Sequence, residues 1–202
     1  MNLIKQQNQL QKDAYKVLEK LQLMELLKNF GEPKIVGSLS LGLMTWRDID
    51  IEVIMKKLDM EFIAEICAKL VRKSSRRIDF GVIDNRDGFN NIRPTGIYLG
   101  VKYYSKDLKA GELLGANDKV WKIDIHFVLK KDSKGVQKTQ EVADRLTDEI
   151  RKIILKIKGV VFKSPKFRKE IFSMDIYNAV LNKGVKNINE FKDYLRERGI
   201  NL

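Results

Sequence analysis

Residues 37–53 read Gly37-Ser38-Leu39-Ser40-Leu41-Gly42-Leu43-Met44-Thr45-Trp46-Arg47-Asp48-Ile49-Asp50-Ile51-Glu52-Val53. From Arg47 to Met55 charged and aliphatic residues alternate. Asp48, Asp50 and Glu52 fall on one face, and Ile49, Ile51 and Val53 on the other. A period of two predicts a strand. Strands disfavour aspartate, and a carboxylate on a half-buried strand carries a desolvation cost. Two aspartates two positions apart project from the same face, about 7 Å apart at the backbone. Like charges that close repel and raise a pKa unless a cation neutralises them. A hard divalent cation with oxygen ligands does so, and magnesium is the usual one beside phosphates. Taken alone, Asp-Ile-Asp-Ile-Glu also reads as the wet face of an edge strand.

Immediately upstream, Lys34 to Val36 is a short extended entry to Gly37-Ser38, and Leu39 to Met44 reads as a brief helix. Glycine lets backbone approach a ligand, and N–H groups with a serine hydroxyl at a helix start can hold phosphate oxygens. Further upstream, Leu10, Ala14, Val17, Leu18, Leu21 and Met24 form one helical stripe, stopped by Gly31 and Pro33. Downstream, Leu58 to Val71 is a helix, and Arg77 to Ile83 and Ile97 to Tyr104 are strands. Polar loops are expected at Asp84 to Thr95 and Ser105 to Asp118. Val120 to Leu129 alternates again, with Lys122, Asp124 and His126 on one face and Trp121, Ile123, Ile125 and Phe127 on the other. Asp124, framed by aliphatic neighbours, repeats the logic of Asp48 and Asp50.

From about Ser133 the pattern turns helical. One stripe runs through Val142, Leu146, Ile150, Ile153 and Ile157, a second spans Phe167 to Leu181, and a third spans Ile188 to Arg198. The expected fold class is α+β, a mixed β-sheet core with flanking helices followed by a C-terminal helical bundle packed on the sheet. The division is residues 1–132 for the core with its N-terminal helix and residues 133–202 for the helical region.

At 202 residues, with 44% hydrophobic and 33% charged residues, the chain is long enough for a self-sufficient core. The single cysteine, Cys67, excludes an internal disulfide framework, and one histidine, His126, leaves little for a zinc site. No apolar run reaches the roughly 18–20 residues a membrane span needs, and the first residues lack a signal-peptide core. A cytoplasmic location with no membrane partner is expected. The net charge of +12 favours anionic partners without distinguishing nucleic acid from free nucleotide.

Gly37-Ser38, then Asp48-x-Asp50 on a strand, then Asp124 on a later strand resembles the DNA polymerase β-like nucleotidyltransferase superfamily. The resemblance covers about Lys34 to Leu129. More loosely, the chain is similar to small bacterial antibiotic nucleotidyltransferases of the lincosamide type, through Ile97-Tyr98-Leu99-Gly100-Val101-Lys102-Tyr103-Tyr104 and the segment from Ile176 to Leu195. The resemblance implies a nucleotidyltransferase-type core and a two-ion Mg²⁺ site held by Asp48, Asp50 and Asp124. Asp124 completes the second metal site or serves as base. Gly37 and Ser38 hold the β- and γ-phosphates of a nucleoside triphosphate. An acceptor hydroxyl attacks the α-phosphorus and pyrophosphate leaves. The acceptor it implies is a small hydroxylated molecule such as an antibiotic. RNA or protein acceptors are the alternative, as is a non-catalytic partner protein of a toxin–antitoxin pair.

Other residues carry two readings each. His126 lines the site beside Asp124 or is a strand-end histidine. Arg47 and Lys122 meet phosphate or face solvent. Tyr98, Lys102 and Tyr104 share a strand face that lines an acceptor pocket or completes the core. Tyr177 and lysines of the C-terminal helices close over the nucleotide or stay solvated. Trp46 and Trp121 are packing residues, and Cys67 is buried in a helical stripe.

Overall fold

A computed structural model describes residues 3–74, 77–89, 93–104 and 120–202. The expected loop from Ser105 to Asp118 lies outside the described residues, as does part of the loop from Asp84 to Thr95. The chain opens with α1 (Leu3–Lys20) and α2 (Leu23–Lys28). The single stripe expected through Met24 is therefore broken, at Gln22, whose φ of 46° is left-handed. Leu21 and Leu23 are both fully buried. Two positions apart on one helix they would point about 160° apart, so the break is what lets both face the core.

Next come β1 (Glu32–Val36), α3 (Gly37–Leu41), β2 (Asp48–Met55), α4 (Glu61–Lys73), β3 (Ile78–Asn85), β4 (Gly96–Tyr104) and β5 (Val120–Leu129). Pro33 lies inside β1, not in a helix-stopping turn, because β1 is an edge strand where a missing N–H costs nothing. The described strands form one sheet in the order β1-β2-β5-β4-β3. Only the β2–β5 pair is parallel. This is the mixed sheet with flanking helices that the sequence predicts.

The aliphatic face of the sheet, with Ile49, Ile51, Val53, Ile123, Ile125 and Phe127, is buried against Ala14, Leu18, Ile63, Ile66 and Leu70 from α1 and α4. The other face carries the acids. A second apolar cluster gathers the helical region around Ile154, Leu155, Ile157, Ile176, Phe191 and Leu195, and takes in Leu3, Leu41 and Leu43 from the first part of the chain.

The helical region holds α5 (Gly135–Ala143), α6 (Asp148–Val161), α7 (Ser173–Lys183) and α8 (Ile188–Arg196). The expected stripe from Val142 to Ile157 is two helices. Thr147 caps α6, its hydroxyl accepting from the Ile150 N–H at 3.2 Å, and Asp148 and Glu149 occupy the first turn. That is a start signal written into the interior of one apolar period. The stripe from Phe167 becomes helical only at Ser173, and Arg168 before it is left-handed, with φ 65°. No helix among the described residues is long and apolar enough to cross a membrane.

Candidate active site

The parallel pairing of β2 with β5 sets Asp50 directly opposite Asp124. Asp48 precedes Asp50 by one pleat on the same face. Oxygen atoms of Asp48, Asp50 and Asp124 all lie within 4.8 Å of one another. Asp48 and Asp124 are buried and Asp50 is half-buried. The three acids singled out in the sequence thus converge, although 74 positions separate Asp50 from Asp124 in the chain.

Two cations partly balance them. Lys122 Nζ hydrogen-bonds the Asp124 carboxylate and stands 3.9 Å from Asp48 Oδ1. The Arg168 guanidinium donates to Asp48 Oδ2 at 2.6 Å. The Tyr98 hydroxyl donates to Asp124 Oδ1 at 2.7 Å, and burial with this bond holds the phenol above its ordinary range. Asp50 makes no ion pair among the described residues, and burial together with Asp48 and Asp124 raises its pKa well above the usual carboxylate value. Asp48 Oδ1 is buried with no hydrogen-bond partner among the described residues. Converging hard oxygen donors, an excess of negative charge and an orphaned carboxylate oxygen fit a divalent cation such as Mg²⁺.

Gly37 opens α3 with a left-handed φ of 66°, and a Cβ there would sit 2.9 Å from Asp50 Oδ2. Any side chain would therefore be strained and would crowd the carboxylate. The Gly37 N–H donates to Thr139 Oγ1 at 3.0 Å, so a side chain of α5 occupies the donor that the sequence offers to phosphate. Ser38 is buried beside it.

Glu52, the third acid of the strand face, has a different task. It is 2% exposed. Its carboxylate accepts from the Ser133 hydroxyl, the Gly135 N–H at 2.9 Å and the Val136 N–H at 3.4 Å. It thereby caps the N-terminus of α5 and fixes that helix, and Thr139 with it, against α3.

A cleft of about 210 Å³ opens on this side, lined by Gly37, Asp50, His126, Lys138, Thr139 and Tyr177 among others. Burial lowers the His126 pKa to about 4, so its imidazole is neutral at pH 7. Tyr177 is buried, and beneath it Lys158 is fully buried. Lys158 Nζ donates to the Leu43 carbonyl at 2.8 Å and to the Tyr177 hydroxyl at 3.3 Å, and lies 4.7 Å from the centre of the Trp46 ring. Burial brings its pKa down to about 7, against the pull of Asp48 and Asp50. Trp46 also packs on Phe162 and Phe167 and lies under the Arg168 guanidinium. This aromatic cluster seats the segment that delivers Arg168 to Asp48.

Arg47 stands over the Trp121 ring, at 5.8 Å. Tyr104 bonds Asp79 at 2.8 Å, and Cys67 is only partly buried. Thr139, Lys158 and Arg168 carry no sequence signal of their own, because each reaches the site from a helix or turn more than 100 residues from its partner in the chain.

No protein-family model matches the sequence, and no curated protein matches it. Solved structures do match in fold. A form of Cid1 poly(U) polymerase bound to MgATP superposes with a TM-score of 0.60 at 15% identity, covering 88% of this chain and 51% of that protein. A cytoplasmic RNA terminal U-transferase gives 0.57 at 19% identity, covering 87% and 49%. A further Cid1 poly(U) polymerase structure gives 0.55 at 18% identity, covering 91% and 55%. The chain spans about half the length of these proteins. The fold is the nucleotidyltransferase fold, as the superfamily resemblance implies, while the finer likeness to lincosamide-type enzymes finds no support among these matches.

Proposed function

We propose that the chain is a magnesium-dependent nucleotidyltransferase that joins a nucleoside monophosphate from a nucleoside triphosphate to the terminal hydroxyl of an RNA. The observation that carries the reading is the convergence of Asp48, Asp50 and Asp124 within 4.8 Å around an orphaned carboxylate oxygen. The RNA acceptor is supported by the neighbours in fold, an RNA terminal U-transferase and a poly(U) polymerase, and is compatible with the net charge of +12. The small hydroxylated acceptor expected from the sequence, an antibiotic among them, has no such support.

Asp48, Asp50 and Asp124 would hold the Mg²⁺. Bound there, the metal supplies charge neutralisation for the triphosphate and a lowered pKa for the acceptor hydroxyl. Gly37 lies against Asp50 in the lining of the cleft, with the buried Ser38 next to it; in this reading the two positions hold the phosphates beside Asp50, with Thr139 giving up the Gly37 N–H when they bind. The neutral His126 and the buried Tyr177 line the same cleft without adding charge. The acceptor oxygen forms a bond to the α-phosphorus as the bond to the bridging oxygen breaks. The electron pair leaves with pyrophosphate. Asp124, oriented by Tyr98 and Lys122, is placed to receive the acceptor's proton.

The test is incubation of the protein with Mg²⁺, each ribonucleoside triphosphate and an end-labelled oligoribonucleotide, read on a sequencing gel. Extension is expected with at least one triphosphate, and is lost with a chelator or in Asp124→Asn. Extension by Asp124→Asn at the wild-type rate overturns the reading. Labelling of a small hydroxylated molecule with no extension of RNA returns the acceptor to the small-molecule class.

A further inference from the structure

The parallel register that sets Asp50 opposite Asp124 runs on to Met55 and Leu129. Each strand is followed at once by two lysines, Lys56-Lys57 after β2 and Lys130-Lys131 after β5. Because the two strands run parallel, both dilysines leave the sheet at the same end, the end away from the triad. Extending the register by one and two positions places Lys56 beside Lys130 and Lys57 beside Lys131. All four are exposed. Asp59 stands 3.5 Å from Lys57, whereas Lys56, Lys130 and Lys131 make no ion pair among the described residues. Like charges on neighbouring strands destabilise a sheet, so folding gives no reason for the arrangement. An external anion does.

The four lysines line a groove of about 1040 Å³, about five times the volume of the cleft beside Asp50. Lys28, itself paired with Glu25, lines it too. The one acid in the lining, Glu32, is taken by Lys34. Phe30, Ile54, Met55 and Leu129 make much of the remaining lining apolar. Lysines around an apolar, aromatic-bearing lining match a single nucleic-acid strand, whose phosphates meet the cations and whose bases leave water against the apolar part. The same two strands carry the groove and the triad, which ties the occupant to the polymer being extended.

We propose that this groove holds the phosphodiester backbone of the RNA upstream of its reacting terminus. Asp50 and Met55 lie five positions apart on β2, about 17 Å. At about 3.4 Å per stacked nucleotide, about five nucleotides separate the terminal hydroxyl from the first phosphate in the groove. A trinucleotide therefore reaches the triad alone, and a longer strand engages both places. The inference rests on the reading of the chain as an RNA-extending nucleotidyltransferase.

The test compares wild type with Lys56→Gln/Lys130→Gln in the full chain. The readouts are the melting temperature and the Kd of a labelled oligoribonucleotide of about 20 nucleotides, taken by fluorescence anisotropy at several salt concentrations without Mg²⁺ or triphosphate. KM values for that strand, for a trinucleotide and for triphosphate complete the set. Two lost phosphate contacts make the slope of log affinity against log salt shallower by about 1.4. The Kd and KM of the long strand are expected to rise at least fivefold. The KM values for trinucleotide and triphosphate stay within twofold, and the melting temperature does not fall. An unchanged long-strand Kd and salt slope overturns the groove as an RNA site. So does an equal rise of the trinucleotide KM, which marks an effect at the triad. An acidic protein that copurifies with wild type but not with the variant, at unchanged RNA affinity, overturns the RNA occupant in favour of a protein partner. A wild type that extends no RNA overturns the functional reading, and the groove is then judged by the anisotropy alone.

Discussion

Asp50→Asn tests the electrostatics of the site in two directions at once. Two unit charges 4.8 Å apart interact by about 3.5 kcal/mol at an effective dielectric of about 20. Asp50 faces two such neighbours, and neither Lys122 nor Arg168 pairs with it directly. Attraction to those cations at longer range offsets part of the repulsion, leaving about 1–2 kcal/mol against the folded state at neutral pH. Asparagine keeps the shape and removes the charge. The metal-free variant should therefore melt roughly 2–8 °C above wild type. Because the Asp50 pKa is raised in the folded protein, the folded state binds the proton more tightly than the unfolded chain. Wild-type stability then falls as pH rises from the ordinary carboxylate range through that raised value, and the advantage of the variant disappears in acid. With Mg²⁺ and triphosphate the order reverses. A ligand at a hundredfold its dissociation constant stabilises by about 2.7 kcal/mol, or roughly 5–10 °C here, in wild type only. Differential scanning fluorimetry across pH, with and without Mg²⁺ and each triphosphate, reads both effects. A metal-free variant that melts below wild type would refute the repulsion argument. A variant that keeps the Mg²⁺-dependent shift would refute Asp50 as a ligand.

Glu52→Ala removes the acceptor for the Ser133 hydroxyl and two backbone N–H groups at the start of α5. It should cost about 2–3 kcal/mol, seen as a drop of roughly 4–12 °C in melting temperature; a change below about 1 °C would show that α5 does not depend on this cap. Lys158, with its pKa lowered to about 7, binds fewer protons folded than unfolded between pH 7 and its ordinary value. Wild type should thus gain about 2 kcal/mol between pH 7 and 9 relative to Lys158→Met, and parallel melting curves for the two proteins over that range would contradict the burial argument.

The sequence determined much of this molecule through periodicity alone. Alternation over Arg47 to Met55 and Val120 to Leu129 defined the two strands of the parallel pair and put Asp48, Asp50 and Asp124 on polar faces, because the pleat repeats every two residues whatever the rest of the chain does. The break at Gln22 was hidden, while the one at residues 144–147 was marked only by the Thr147-Asp148-Glu149 start signal, which the apolar period running across it outweighed. The role of Glu52 was hidden as well: on the strand it is one more acid of the face, and only the arrival of α5 makes it a cap. Register was beyond local reading. Nothing in either strand says that Asp50 pairs with Asp124 in a parallel ladder, or that Lys56 and Lys130 leave the sheet side by side. Arg168, Thr139 and Lys158 join the site across 102 to 120 positions of chain. Local sequence sets which face a side chain takes, because that depends on backbone geometry over a few residues. Which distant faces meet is decided by the packing of whole elements, and the balance of charge around the three acids exists only after that packing.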